Sequence, residues 1–183
     1  MPKIVNHEIY REELLQRGFD LFAKKGYTIT IRELATGLGV STGTLYHYFS
    51  GKEEMFRQTM EHIAEKHVGN IQSQIQTNWS IEEKAGAIFF YVSQNQEYFK
   101  NIIFLLIEYF KQNEHSDPDS VISETAALIR KILREQLELK SDSEATTLLS
   151  FFIGHILQKS LDPLGSIYPM QGMELLKIFT VLQ

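Results

Sequence analysis

Between Ser41 and Lys52 the chain reads STGTLYHYFSGK. Thr42 and Thr44 flank Gly43, and the rings of Tyr46, His47 and Tyr48 follow directly after Leu45. These side chains include no nucleophile beside a base and no set of metal ligands. Hydroxyls, rings and a glycine are suited instead to hold a polyanion. Small residues let a backbone approach a groove, while hydroxyls and ring edges bond to phosphates and bases. Leu45 and Phe49 recur on the opposite side, as anchors for a core. Lys52 falls in the first turn of the next helix, where a cation opposes the helix macrodipole unless an anion is held there as well.

The elements that position this set begin at Ile31. Thr30 with Glu33 forms a capping box for a first short helix. Leu34, Ala35 and Leu38 follow at helical spacing, and Gly39 supplies the left-handed residue that stops it. Ser41 caps a second helix running to about Tyr48, and Ser50 with Glu53 is expected to cap a third, longer one. Two short helices joined by a tight turn, the second bearing the outward polar set, make a helix-turn-helix whose second helix can enter a DNA groove. Arg32, in the first turn of the first of these helices, lies where it can reach a phosphate.

The run GVSTGTLYHYFSGKEEMF, preceded by LFAKKGY and IRELA, resembles the DNA-binding domain of the tetracycline-repressor (TetR) family of bacterial transcriptional regulators. The resemblance covers roughly residues 12–56, and the segment between Tyr27 and Ile31 is slightly shorter than the family pattern. From residue chemistry and resemblance together, the DNA-contacting set is expected to be Thr30, Arg32, Ser41, Thr42, Gly43, Thr44, Tyr46, His47, Tyr48 and Lys52. The resemblance further implies an all-α fold with a helix-turn-helix domain over 1–50 and a ligand-binding and dimerisation domain over 51–183. Its partners would be double-stranded DNA carrying an inverted-repeat operator, a second copy of the chain, and an unidentified small-molecule effector that releases the DNA.

Composition sets bounds on this reading. The 183 residues carry a formal charge of −5, with 43% hydrophobic and 22% charged residues, ordinary for a globular chain. Residues 1–56 hold seven Lys or Arg and seven Asp or Glu, so the acidity belongs to the remainder. Non-specific DNA affinity is therefore expected to be modest and salt-sensitive. There is no cysteine, hence no disulfide framework and no thiolate metal site. No signal segment or membrane span is read, and a cytoplasmic location is expected. His62, His67 and His155 lack companions at ligand spacing, so neither metal nor cofactor is expected. No nucleophile elbow, phosphate-cradling loop or metal-hydrolase pair points to an enzyme.

The rest of the chain reads as helices throughout, about nine in all. Leu14, Gly18, Leu21 and Phe22 define the first, over 7–25, and Phe56, Met60, Ile63, His67, Ile71 and Ile75 mark a rod from about Gly51 to Gln76. A helix over 97–112 is apolar on nearly every side, so burial on every side is expected. On the helix from Ser141 to Leu161, Leu148, Phe152 and Ile156 fall on one side and Leu149, Ile153 and Leu157 on another. One side can face the core and the other needs a partner, as does a final amphipathic helix with Leu176 and Phe179. The family places a small-molecule pocket among the rings, and the resemblance assigns it Phe89, Tyr98, Phe99, Phe104, Phe152 and His155. The competing reading is a helical ligand-binding or protein-interaction module without DNA binding.

Overall fold

The computed structural model describes residues 6–113 and 121–161. These residues form eight α-helices and no strand: α1 (His7–Lys25), α2 (Ile31–Leu38), α3 (Thr42–Tyr48), α4 (Lys52–Gln74), α5 (Ile81–Gln94), α6 (Gln96–Gln112), α7 (Val121–Leu137) and α8 (Asp142–Leu161). The chain is all-α as expected. The last expected helix, with Leu176 and Phe179, lies outside the described residues. The described residues divide into two compact units, one holding residues 6–66, 104–113 and 121–125, the other residues 67–103 and 126–161.

In the first unit, local signals set the helix ends. The Asn6 side chain accepts from the Glu8 amide to cap α1, and Lys24 and Lys25 occupy its last turn, where the dipole favours cations. Gly26, at φ 79° and ψ 172°, ends α1 in a conformation open almost only to glycine. Tyr27 and Ile29 then turn inward, each 3% exposed, so the short segment before α2 contributes to the core. The Thr30–Glu33 capping box forms as the sequence requires, and Gly39 closes α2 at φ 71° and ψ 30°. Leu14, Phe19, Phe22, Leu34, Leu38, Leu45, Phe49 and Phe56 are all nearly inaccessible and make one core beneath α2 and α3.

The start of α4 differs from expectation. Its first residue is Lys52, which leaves Gly51 in the cap position, and the Gly51 carbonyl accepts from the Met55 amide at 3.0 Å. Ser50 thus lies one residue before the cap, and the Glu53 carboxylate accepts from the Tyr109 hydroxyl at 3.2 Å. The second unit is built on Ala85, Ile88, Val92, Leu133, Leu137, Ala145, Leu148, Phe152 and Ile156. Its α5 starts with the capping box expected from Ser80 and Glu83.

The expectation for α6 is overturned. Of its apolar residues only Leu105 is buried, and Phe104, Ile107 and Phe110 are 46%, 41% and 57% exposed. An apolar sequence requires a cover, but it does not say whether the cover comes from the same chain. These three residues, at steps of three, form one stripe that stays exposed among the described residues.

Candidate nucleic-acid interface

The turn from α2 to α3 is fixed from both sides. Gly39 and Val40 return their amides to Thr36 and Ala35, and the Ser41 hydroxyl accepts from the Thr44 amide at 2.9 Å. With Leu45 fully buried and Phe49 2% exposed, α3 has one possible rotation about its axis. That rotation leaves Gly43, Tyr46 and His47 exposed and Thr42 and Thr44 half-buried along the outer face. Tyr46 is 56% exposed, a large aromatic surface left in water. A Cβ added at Gly43 would meet nothing closer than the Ser41 hydroxyl at 3.5 Å, so no neighbour within the chain demands glycine there. The space it leaves faces outward.

The other expected contacts fall in three groups. Thr30 and Ser41 are exposed, but their hydroxyls are engaged as helix caps, Thr30 Oγ1 donating to Glu33 at 2.7 Å. The Thr30 amide, at 2.9 Å, and then its hydroxyl hold the Glu33 carboxyl below the usual carboxylate range. Arg32 is exposed, and its guanidinium has no acceptor among the described residues. Tyr48 and Lys52 turn inward. The Tyr48 hydroxyl bonds to His7 Nδ1 at 2.9 Å, and its ring lies 5.7 Å from that of Tyr10. Lys52 Nζ donates to the Tyr27 carbonyl at 2.8 Å and sits 4.1 Å from the centre of the Tyr27 ring. Burial lowers the ammonium's pKa from its ordinary value, with the neighbouring Glu53 charge opposing.

Sequence reasoning missed His7. Its ring lies 6.0 Å from both His47 and Tyr48, so the first turn of α1 extends the exposed polar surface of α3. Forty-one residues separate His7 from Tyr48, and no periodicity links them.

The ring residues expected to line a ligand pocket fall into separate ring groups. Phe89 lies 6.4 Å from Phe152 and 5.1 Å from His155. Tyr98 and Phe99 gather instead around His67, at 4.7 and 4.9 Å, with His67 Nδ1 and the Tyr91 hydroxyl 2.6 Å apart. Phe104 is exposed on the part of α6 that belongs to the first unit. Burial lowers the His155 pKa from its ordinary value, and the Lys159 charge adds to the effect. An open depression of about 530 Å³ lies elsewhere, between Arg130, Lys131, Arg134 and Glu135 of α7 and Asp142 of α8.

On α8 the inward side is the expected one: Leu148, Phe152 and Ile156 are 3%, 6% and 4% exposed. Ile153 is 37% exposed, while Leu149 and Leu157 are half-buried. Among the described residues no three His, Cys, Asp or Glu side chains converge as a metal site, and no helix is long and apolar enough to cross a membrane.

Residues 14–59 match the family described as bacterial regulatory proteins, tetR family. Over 80 residues the chain is 34% identical to the HTH-type transcriptional repressor KstR2 of Mycolicibacterium smegmatis, a match covering 43% of this chain and 39% of that protein. The chain thus spans less than half the length of the KstR2 relatives it matches in sequence. Two solved structures share its fold over most of their length. Reduced NemR of Escherichia coli superposes with a TM-score of 0.67 at 21% identity, covering 90% of this chain and 92% of that one. The fatty acid degradation regulator FadR of Bacillus halodurans does so with a TM-score of 0.61 at 18% identity, covering 96% and 93%.

Proposed function

We propose that the chain, whose residues 14–59 match the tetR family of bacterial regulatory proteins, is a DNA-binding transcriptional regulator of that family. It acts as a homodimer on a palindromic operator, most simply as a repressor that a small-molecule effector releases. Residues 1–50 form the DNA-binding domain and 51–183 carry effector binding and dimerisation. The observation that carries this reading is the outer face of α3. Thr42, Gly43, Thr44, Tyr46 and His47 are presented to solvent by a helix whose rotation Leu45 and Phe49 fix, and whose start Ser41 caps. Pre-ordered helices let binding energy go into contacts rather than into ordering the chain.

Within this reading α3 lies in the major groove, with Tyr46 and the two threonines at base edges and phosphates. The unpaired Arg32 guanidinium and the α2 cap at Thr30 meet the flanking backbone. Lys52 can reach a phosphate only by giving up the Tyr27 carbonyl. A two-fold dimer joined through the Leu149, Ile153 and Leu157 side of α8, together with Leu176 and Phe179, sets two copies of α3 one DNA turn apart, about 34–36 Å, or a multiple of it. Effector binding among Phe89, Tyr98, Phe99, Phe152 and His155 shifts α4, a continuous helix from Lys52 to Gln74. The effector must prefer the non-binding arrangement to do so. These roles belong to a cytoplasmic regulator and not to an enzyme.

The test is selection from random duplex DNA by the purified chain at low salt, repeated with Tyr46→Ala. Enrichment of an inverted repeat by the wild type alone supports the reading. A folded dimer that enriches nothing favours the module without DNA binding.

A further inference from the structure

Tyr27 is held in the first unit from both α4 and α6. Its amide donates to Glu108 Oε2 of α6 at 2.7 Å, and its carbonyl accepts from Lys52 Nζ of α4 at 2.8 Å. Both backbone polar groups of one residue are thus held by charged side chains from two different helices, and charge-assisted bonds are the strong kind. Its ring, 3% exposed, meets Phe56 at 4.7 Å and Tyr109 at 5.1 Å. Tyr109, the residue after Glu108, stacks on Phe56 at 5.3 Å and 15° and donates to Glu53 at 3.2 Å. Gly26 leaves room for this arrangement, since a Cβ there would lie 2.7 Å from Glu108 Oε2.

Three residues beyond Tyr27 stands Thr30, the cap of α2, followed by Arg32. Whatever fixes the Tyr27 peptide therefore fixes where α2 begins, and with it the turn into α3. We propose that Glu108 is a positioning residue for DNA binding, holding Tyr27 so that α2 and α3 meet the operator in a single geometry. This inference rests on the regulator reading given above. Glu108 does not itself contact DNA; it acts through the Tyr27 amide. The same α6 runs on through Gln96–Ile103 into the second unit, so Glu108 is a point at which a change in α6 reaches the loop before α2.

The test uses the full chain and its Glu108→Ala and Glu108→Gln variants, with two readouts. The first is amide hydrogen exchange at Tyr27. The second is selection of inverted repeats from random DNA, scored for half-site spacing, affinity and salt dependence. Glu108→Ala is expected to speed Tyr27 exchange by about tenfold, the loss of one hydrogen bond to a charged group. It is also expected to broaden the selected spacing and weaken binding to the wild-type operator by about tenfold, with the salt slope unchanged because no phosphate contact is lost. Glu108→Gln keeps an oxygen for the same N–H and restores a single spacing. Should Glu108→Ala fail to fold, Glu108→Asp, one methylene too short for the 2.7 Å contact, gives the same readings at smaller amplitude. A wild type that selects one spacing, with Glu108→Ala selecting the same spacing at equal affinity, overturns the proposal alone. A wild type that selects no repeat overturns the regulator reading and this proposal with it.

Discussion

Replacing Gly26 by alanine separates two costs that the structure places on one atom. The first is conformational. Gly26 sits at φ 79° and ψ 172°, and an L residue held there costs about 1–3 kcal/mol. The second is displacement. The new Cβ would lie 2.7 Å from Glu108 Oε2, so the carboxylate must withdraw and release the Tyr27 amide. Losing that part-buried bond to a charged group costs about 1.5–3 kcal/mol. Together these make about 2.5–6 kcal/mol, a large part of the roughly 5–15 kcal/mol that holds a typical domain folded. Urea denaturation of wild type, Gly26→Ala, Glu108→Ala and the double variant resolves the two parts as a cycle. In the Glu108→Ala background the clash has no partner, and Gly26→Ala should cost only the conformational part, about 1–3 kcal/mol. A cost below about 1 kcal/mol in the wild-type background refutes the reasoning, and so does an equal cost in both backgrounds.

Three further outcomes are expected. Tyr46→Ala should leave fold and oligomeric state intact and weaken operator binding by about 1–3 kcal/mol, as for a specific contact; unchanged affinity in a titration would remove Tyr46 from the interface. A charge at Ile153, exposed on α8, should give monomers at micromolar concentration by light scattering, and a persistent dimer would move the interface elsewhere. Because burial holds the His155 imidazole below its ordinary 6.5, the unfolded chain takes up the proton more readily. Stability from this group is therefore complete above 6.5 and is lost as pH falls below it; denaturation at pH 7.5 and 5.5 should show a larger loss for wild type than for His155→Gln.

What could be read ahead of the structure was local in sequence. The bounds of α1, α2 and α3 and the caps at Thr30, Ser41 and Ser80 each depend on residues three or four apart, where side chain and backbone meet within one turn. The core side of α8 follows from spacing in the same way. Features joining distant residues left no such trace. Glu108 and Tyr27 are 81 positions apart, and neither type advertises the other. Lys52 had the position of a phosphate ligand, yet the Tyr27 carbonyl occupies its ammonium. Tyr48 looked outward by composition, but His7 and Tyr10 hold it against α1. Ser50 is not the cap because α4 starts one residue later, with Gly51 in that position, and the Glu53 carboxylate meets Tyr109 of α6 instead. The apolar character of α6 gave the amount of surface to be covered and not its cover, so Phe104, Ile107 and Phe110 remain open.

The arrangement of two α3 helices on one duplex is best tested by hydroxyl-radical footprinting of the wild-type chain on its selected operator. The regulator reading requires two equal protected patches, related by a two-fold axis and centred about 10–10.5 base pairs apart or a multiple of that distance. Both patches should fade together with Tyr46→Ala. A single patch, or two that survive the loss of the Tyr46 ring, would contradict the placement of α3 in the groove.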